Sequence, residues 1–210
     1  MIFRNRDDAA DMLAAKLEHY RGQNPLVLAI PRGAVPMAKR IAEALGGEVD
    51  VVLVRKLRAP ANPELAIGSV DESGWTYLSD YALRMAGHDY IEAEKERQLG
   101  VMRERRAQYT PVRPPLDPAG RIVIVVDDGL ATGATMISAL HALRARKPAR
   151  LIAAVPVSPP DTLRKVEKLA DETVCLEAPE YFMAVGQFYA EFPQVEDEEV
   201  IALLRTAPRA

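Results

Sequence analysis

The stretch Ile122-Val-Ile-Val-Val-Asp-Asp-Gly-Leu-Ala-Thr-Gly-Ala-Thr135 decides how the rest of the sequence is interpreted. It begins with five consecutive β-branched residues, a run typical of a strand that is covered on both faces of a parallel sheet. The run ends in Asp127 and Asp128, and a loop with two glycines then leads into a predicted helix from about residue 134. Because ligands in open α/β sheets bind beyond the carboxyl ends of the strands, this stretch predicts a ligand site.

The two halves of this stretch suit different parts of a ligand. The start of a helix after a small-residue loop presents free backbone N–H groups to an anion, and Thr132 and Thr135 add hydroxyl donors. Asp127 and Asp128 would repel a phosphate, so they suit sugar hydroxyls, a metal ion or a developing positive charge. A phosphorylated sugar satisfies both halves. The alternative interpretation is an N-capped turn with solvated acids.

Two other phosphate-binding motifs do not occur in the sequence. There is no Gly-x4-Gly-Lys-Ser/Thr string and no Gly-x-Gly-x-x-Gly string. Adjacent aspartates at a strand end also occur in phosphoacceptor domains, but those domains do not require a Thr-Gly-Ala-Thr loop. The phosphorylated-sugar interpretation is therefore preferred.

The remaining chain alternates between predicted strands and helices. A first helix is expected to be capped by Asn5 and to bury one face from Ala9 to Tyr20. Short apolar runs predict further strands, and the segments between them predict helices; the strands are expected at 26–30, 49–54, 67–70, 75–78, 151–157 and 173–176. This alternation indicates an α/β fold with a parallel twisted sheet and helices on both faces.

Composition excludes several classes of protein. The net charge of −3 gives no basic excess, so nucleic acid is not an expected partner. The one cysteine, Cys175, excludes an intramolecular disulfide and a cysteine-rich metal site. No secretory leader pattern and no apolar stretch of membrane-spanning length occur, so we expect no membrane association and a cytoplasmic protein.

The stretch from Val125 to Thr135 resembles the phosphoribosyl-pyrophosphate motif of type I phosphoribosyltransferases. In that family two acids hold the ribose hydroxyls and the following loop cradles the 5′-phosphate. The resemblance implies that Asp127 and Asp128 hold the ribose and are the catalytic acids. It also implies that 5-phosphoribosyl-1-pyrophosphate is bound by Gly129, Ala131, Thr132, Gly133, Ala134 and Thr135.

Two further segments resemble the pyrophosphate side of that site. Pro31-Arg-Gly-Ala-Val-Pro36 is similar to the family's pyrophosphate loop, where an unusual peptide geometry is often found, and Arg32 and Gly33 would approach the diphosphate. Lys56 and Arg58 are placed like the basic residues of adenine-type members. The alternative for residues 31–36 is an ordinary Pro-Gly turn. The alternative for Lys56 and Arg58 is that both are solvated surface cations. Glu64, in the expected mobile loop, is either a polar contact or a plain loop acid.

The aromatic segment from Tyr181 to Tyr189 resembles the hood that covers the base in purine-type members. Aromatic rings suit the π-faces of nucleobases, so Tyr181, Phe182 and Val185 are the candidate acceptor-binding residues. The alternative is that these rings only pack the C-terminal part of the chain.

The resemblance implies the type I phosphoribosyltransferase fold as a single domain over residues 1–210. Its core is expected at about 22–178, with a helical insertion at about 79–109 and a small C-terminal hood at about 179–195. The highly charged helix at 91–109 has only a thin apolar stripe, so it is expected to be half exposed or to pack against a partner chain. A homodimer is therefore expected, and the sequence leaves open whether this helix instead covers the site.

The implied reaction transfers the phosphoribosyl group to a nitrogenous base or related amine and releases pyrophosphate. Mg²⁺ is the expected cofactor, held by Asp127 and Asp128 but mostly by substrate oxygens. Ala131 stands where hypoxanthine-guanine members commonly carry an aspartate that handles the base proton, which argues against that form of mechanism and leaves the general base unassigned. The alternatives are a module that senses phosphoribosyl pyrophosphate without turnover, and a structural protein without a working site.

Overall fold

The computed structural model describes residues 1–63 and 65–209, so the expectation for Glu64 lies outside the described residues. Its strands are β1 (Leu26–Ala29), β2 (Glu48–Val51), β3 (Val54–Arg58), β4 (Ala66–Asp71), β5 (Thr76–Leu78), β6 (Ile122–Val126), β7 (Arg150–Val157) and β8 (Glu172–Glu177). Its α-helices are α1 (Arg6–Lys16), α2 (Val35–Leu45), α3 (Ala82–Met85), α4 (His88–Tyr109), α5 (Ala134–Ala145), α6 (Pro160–Glu167) and α7 (Asp197–Thr206).

Five of these strands form the central sheet, in the order β2-β1-β6-β7-β8 with every pair parallel. Successive side chains of a strand point to opposite faces, and both faces of this sheet are buried. Val27 and Ala29 pack on one side with residues of α1, α2 and α7, while Leu26 and Leu28 pack on the other side with α5 and α6. The predicted parallel sheet with helices on both faces is confirmed.

The first helix begins where the sequence indicates. The Asn5 side chain accepts a hydrogen bond from the backbone N–H of Asp8 at 3.0 Å, which satisfies one of the donors left free at a helix start. The helix buries Ala9, Ala10 and Leu13 against the central sheet and α2. The predicted capping by Asn5 is confirmed.

A second sheet departs from the expectation for residues 49–54. The single predicted strand is divided into β2 and β3. The last hydrogen bond to β1 runs from the backbone N–H of Val52 to the Ala29 carbonyl at 2.9 Å, and the chain then leaves the central sheet. From Val54 the chain pairs antiparallel with β4, which pairs with β5 around the predicted turn near Gly74. Lys56 and Arg58, expected after a strand, therefore lie on β3 itself.

The long helix α4 packs on its own chain. Ile91, Leu99, Met102 and Tyr109 are buried in the same cluster as one face of the central sheet, and the charged side chains between them are mostly exposed. The expected thin apolar stripe is thus covered within the chain. None of the helices in the described ranges has the length and apolar character needed to cross a membrane.

Arg106 joins α4 to both sheets. Its guanidinium donates to Glu72 at 2.6 and 2.9 Å in the turn after β4, and to Asp50 of β2 at 3.3 Å. Asp50 is only 2% exposed and also accepts from the backbone N–H groups of Val51 and Leu116. Because a buried carboxylate needs a positively charged partner, the pairing of Asp50 with Arg106 fixes the position of α4 against the sheets.

Replacing Arg106 with Met should lower the free energy of unfolding by about 3 kcal/mol, since the alkyl stem remains but Asp50 is left buried without its cation. Urea denaturation measures this change. Arg103→Met is the control, because Arg103 is exposed on the same helix and should cost less than about 0.5 kcal/mol. Adding Asp50→Asn should restore part of the loss, and equal effects of the two arginine variants would contradict the account.

Candidate functional site

The order of the strands places two loops side by side. The chain passes from β1 outward to β2 and later returns to β6 on the other side of β1, so the connections diverge between β1 and β6. Ala29 lies opposite Val126, and the backbone N–H of Ile30 donates to the Val126 carbonyl at 3.1 Å. The loops that begin at Pro31 and Asp127 therefore leave the same edge together, where α/β sheets bind ligands.

Of the two acids after β6, Asp127 is held by its neighbour and Asp128 by a distant part of the chain. Asp127 Oδ1 accepts the backbone N–H of Asp128 at 2.9 Å, and Asp128 Oδ2 accepts from Arg6 Nε at 3.0 Å. Arg6 Nη1 also donates to the carbonyl of Pro193 at 2.5 Å, and its guanidinium carbon lies 4.0 Å from the centre of the Phe192 ring. Arg6 thus joins the first helix, the acids and the C-terminal segment.

Arg6 was missed by the sequence analysis. It is separated from Asp128 by 122 positions, and an arginine in the first turn of a helix has no feature that marks it as part of a site. Only the structure shows that Arg6 is buried. A buried guanidinium needs an acid or a carbonyl as hydrogen-bond acceptor, and this points to a specific role for the residue.

The environment of the acids favours protonation of Asp127. Burial raises the pKa of Asp127 well above its ordinary value, the neighbouring charge of Asp128 raises that pKa further, and the charge of Arg6 partly opposes the shift. Two carboxylates at one strand end repel each other unless a cation or hydroxyl groups lie between them. The pair is therefore suited to a ligand with hydroxyl groups or positive charge.

The loop after the acids leaves backbone donors free. Within the described residues, the N–H groups of Ala131, Thr132 and Gly133 have no hydrogen-bond acceptor. Gly133 has a left-handed φ of 74°, and a Cβ there would lie 2.5 Å from Thr162 Cγ2, so the loop requires glycine at this position. Thr162 Oγ1 supports the loop by donating to the Ala131 carbonyl at 2.8 Å. Such a loop before α5 suits a phosphate.

The turn after β1 lies directly against the acids. The peptide bond between Pro31 and Arg32 is cis, which is the unusual geometry expected there. A Cβ on Gly33 would lie 2.2 Å from Asp128 Oδ2, so only glycine lets the turn approach this closely. The Arg32 guanidinium lies 3.4 Å from Glu196 and 3.9 Å from Asp197 at the start of α7.

A cleft of about 240 Å³ opens beside this turn. We call it the basic cleft; the residues that define it are Pro31, Arg55, Lys56, Arg58, Arg105 and Thr135. The structure therefore brings the predicted cations Lys56 and Arg58 to the same cavity as Thr135 of the phosphate loop and Pro31 of the turn. Helix α4 forms one wall of this cleft through Arg105.

The three candidate acceptor-binding residues lie in different surroundings. Tyr181 is 89% exposed, and the Phe182 ring packs against Phe188 with centroids 5.1 Å apart. Val185 lies over the phosphate loop, because a Cβ on Gly129 would lie 2.5 Å from Val185 Cγ1. Of the three, Val185 alone is seen to lie against the loop that follows the acids.

A second cavity, of about 400 Å³, lies on the C-terminal side of the acids. We call it the outer recess; it is lined by Arg6, Arg32, Gly33, Asp128, Phe192, Pro193, Gln194 and Val195. The Phe192 ring stacks on Tyr189 at 4.7 Å and is 37% exposed. Sequence analysis placed the important rings at 181–189 and missed Phe192, since the composition of an aromatic segment does not show which ring faces the acids.

Replacing Gly33 with Ala should lower the free energy of unfolding by about 2 kcal/mol, because the added methyl group displaces the Asp128 carboxylate from Arg6. Urea denaturation measures the loss. Gly100→Ala is the matched control: it lies within α4 with no atom near the added Cβ, and it should stabilise by up to about 1 kcal/mol. A Gly33→Ala protein as stable as wild type would contradict the described packing.

The raised pKa of Asp127 predicts that the free energy of unfolding depends on pH. The folded state binds this proton more tightly than the unfolded chain, so stability is lost as the pH rises through the raised pKa. Asp127→Asn, which can still accept the Asp128 N–H, should be more stable than wild type at pH 7. The gain should shrink at pH 4.

Urea denaturation at both pH values measures this difference. Asp80→Asn is the control, since Asp80 is exposed and its substitution should change stability by less than about 0.5 kcal/mol at either pH. Destabilisation by Asp127→Asn at pH 7 would refute the conclusion that burial and the charge of Asp128 disfavour the ionised form of Asp127.

Known proteins resemble this chain along most of its length. The family model described as the phosphoribosyl transferase domain matches residues 2–192. A Mycobacterium tuberculosis protein provisionally named a phosphoribosyl transferase is 40% identical over 210 residues, covering 99% of this chain and 47% of that protein. The crystal structure of TT1426 from Thermus thermophilus is 46% identical, with a TM-score of 0.89 and 98% coverage of each chain.

These likenesses differ in what they support. The chain spans about half the length of the M. tuberculosis relatives, whereas it matches TT1426 from end to end. A Bacillus anthracis hypoxanthine-guanine phosphoribosyltransferase is 16% identical with a TM-score of 0.48, covering 84% of this chain and 80% of that one, too distant to bear on the acceptor. Because the family model covers most of the sequence and the fold agrees with it, the chain belongs to the phosphoribosyl transferase family.

Proposed function

We propose that this protein is a phosphoribosyltransferase that uses 5-phosphoribosyl-1-pyrophosphate and Mg²⁺ to transfer the phosphoribosyl group to a nitrogenous base or related amine. The observation that carries the proposal is the meeting, at one edge of the sheet, of two acids, a loop of free N–H groups and a basic cleft. Each suits one part of that donor: the ribose hydroxyls, the 5′-phosphate and the diphosphate.

The phosphate loop fixes one end of the donor in this proposal. The N–H groups of residues 131–133 and the hydroxyls of Thr132 and Thr135 bind the 5′-phosphate at the start of α5, where the helix dipole favours negative charge. The ribose then lies over Asp127 and Asp128, which accept hydrogen bonds from its hydroxyl groups. Such fixed binding at two points limits the positions that C1 of the ribose can take.

The chemical step separates charge, and the site carries opposite charges on its two sides. A lone pair of the acceptor nitrogen forms a bond to C1 while the C1–O bond breaks, its electron pair leaves with the diphosphate, and the nitrogen releases a proton. In their ionised forms, Asp127 and Asp128 favour the cationic sugar, and Arg32, Lys56 and Arg58 favour the departing diphosphate. Ala131 offers no acid for the proton, so the general base is left unassigned.

The residues present fit a bound Mg²⁺ of the kind that shares its ligands with the substrate. Among the described residues no group of three or more His, Cys, Asp or Glu side chains could hold a metal. Mg²⁺ commonly takes one or two carboxylates together with substrate oxygens, which Asp127 and Asp128 can supply. When bound, the ion would neutralise charge on the diphosphate.

The acceptor is proposed to enter through the outer recess. Phe192 offers a partly exposed ring beside Asp128, and Val185 borders the loop at Gly129, so a flat base between them would face the ribose. Phe182 supports this segment through its contact with Phe188, and the exposed Tyr181 would contact the acceptor only if the segment closed over it.

The setting proposed for the protein is a cytoplasmic homodimer without nucleic acid. The exposed apolar side chains Tyr81, Leu83 and Met85 lie together at α3 and support association of two copies. The net charge of −3 supports the absence of a nucleic-acid partner.

Pyrophosphate release tests the proposed function. Wild-type protein is incubated with phosphoribosyl pyrophosphate, Mg²⁺ and a panel of nucleobases and simple amines, and at least one acceptor should give release above the acceptor-free rate. Asp128→Asn should reduce that rate by about 100-fold, as expected for loss of one preorganised charge. Asp80→Asn is the control and should leave the rate unchanged.

If the protein binds phosphoribosyl pyrophosphate but no acceptor gives pyrophosphate release, the result would instead support a module that senses phosphoribosyl pyrophosphate. No binding of this compound by the wild-type protein, measured by calorimetry, would refute both functions.

A further inference from the structure

The ion pair between Arg6 and Asp128 is largely buried and uses one oxygen of the acid. Arg6 Nε and Nη2 each lie 3.0 Å from Asp128 Oδ2. The Arg6 side chain is 10% exposed and that of Asp128 is 16% exposed, so water and salt screen this pair less than a pair on the surface. Because both contacts end on Oδ2, Arg6 leaves the other carboxylate oxygen, Oδ1, for a different partner.

The turn after β1 closes over this ion pair. A Cβ on Gly33 would lie 2.2 Å from Asp128 Oδ2 and 3.0 Å from Arg6 Nη2, so the backbone of the turn packs directly against both charged groups. The Asp128 carboxylate is therefore enclosed by the turn on one side and by the guanidinium on another. These two neighbours fix the direction in which it points.

The arginine is itself held by pairing between residues 3–6 and the segment 188–193. Phe3 makes two backbone hydrogen bonds of 2.8 Å with this segment, and the guanidinium of residue 6 donates to the carbonyl of its last residue at 2.5 Å. The buried Tyr189 hydroxyl donates to the backbone carbonyl of Asp128 at 2.7 Å. One segment thus holds the acid by its side chain, and the other holds it by its backbone.

Arg6 also determines where the negative charge of the acid pair lies. In the described part of the chain, it is the one cation that forms an ion pair with either acid. Burial and the charge of Asp128 raise the pKa of Asp127. When two carboxyl groups share a site, the one beside a cation keeps its charge and the other takes the proton. Asp128 is therefore the ionised member of the pair in the protein without a ligand.

A carboxylate that is ionised and fixed in direction suits the ribose of the proposed donor. A ribose hydroxyl can donate to Oδ1 of Asp128 while Arg6 stays on Oδ2. A charge already in place when the sugar becomes cationic stabilises the transition state without rearrangement. Because small displacements of such a group lower a rate steeply, the residue that fixes Asp128 matters to the rate.

We propose that Arg6 is a positioning residue for the transfer, which holds the Asp128 carboxylate in one direction beside the ribose and acts through that acid. The inference rests on the proposed function, since Asp128 is one of the two acids of that site. Arg6 also lines the outer recess and contacts Pro193 and Phe192 there. An effect on acceptor binding is therefore the alternative role that the experiment must separate.

A double-mutant cycle on pyrophosphate release tests the inference with wild type, Arg6→Met, Asp128→Asn and the double variant. The acceptor is the nucleobase or amine that gives the fastest release with wild type. Arg6→Met should lower kcat at least about tenfold, as expected for a residue that orients a group of the site. It should change the KM of phosphoribosyl pyrophosphate and of the acceptor less than about threefold, because the loss falls on the transition state.

The Asp128→Asn background supplies the decisive comparison. There, Arg6→Met should change kcat less than about twofold, because the carboxylate through which Arg6 acts is absent. Arg6→Lys in the wild-type background should recover part of the loss, since it keeps the charge but not the paired nitrogens.

Arg4→Met is the matched control. Arg4 lies two positions before Arg6, its side chain is 75% exposed, and its ion pair is with Asp8, so this variant should keep the wild-type rate. Thermal melts identify variants that fail to fold. If Arg6→Met is one of them, the cycle is run with Arg6→Lys, whose smaller loss should also disappear beside Asp128→Asn.

The outcomes distinguish this inference from the proposed function. A wild-type rate for Arg6→Met, equal losses of kcat in the two backgrounds, or an effect confined to the KM of the acceptor would each overturn the inference and leave the function standing. If wild type releases no pyrophosphate with any acceptor, the proposed function falls, and the positioning role falls with it.

Discussion

The parallel pairing of β1 with β6 is the constraint on which the site depends. Because residue 29 lies opposite residue 126, the turn after one strand and the acids after the other emerge at the same level of the same edge. Neither loop is a site alone, since one carries a cation and a tight turn while the other carries acids and free N–H groups. Shifting this register by one residue would move the apolar side chains of the shifted strand to the opposite face of the sheet. The buried apolar strands therefore fix the register, and the register assembles the site.

The charges of the site lower the stability of the fold that holds them. Asp127 and Asp128 repel each other at a buried strand end, and the arginines of the basic cleft repel one another a short distance away. The surrounding contacts offset part of this cost: Arg6 faces Asp128, and Arg106 fixes the helix that carries Arg105. Opposite charges separated in this way are what a reaction needs when a cationic sugar parts from an anionic diphosphate.

The sequence predicted the local features well because they depend on neighbouring residues. Five β-branched residues, two acids and a glycine loop belong to one continuous stretch, so the strand, the acids and the start of α5 follow from it directly. Arg6 and Phe192 could not be found this way, since each reaches the site through tertiary contacts and their local sequence is that of an ordinary helix and loop. The division of 49–54 into two strands was missed because a run of apolar residues interrupted only by Asp50 does not show where the chain changes sheets.

A crystal structure of the protein with Mg²⁺ and phosphoribosyl pyrophosphate would test the central claim most directly. The account predicts the 5′-phosphate on the N–H groups of residues 131–135, the ribose hydroxyls on Asp127 and Asp128, and the diphosphate between the turn at Arg32 and the basic cleft. A ligand bound away from the acids, or with its diphosphate in contact with neither the turn at Arg32 nor the basic cleft, would contradict the claim that the β1 and β6 loops form one site.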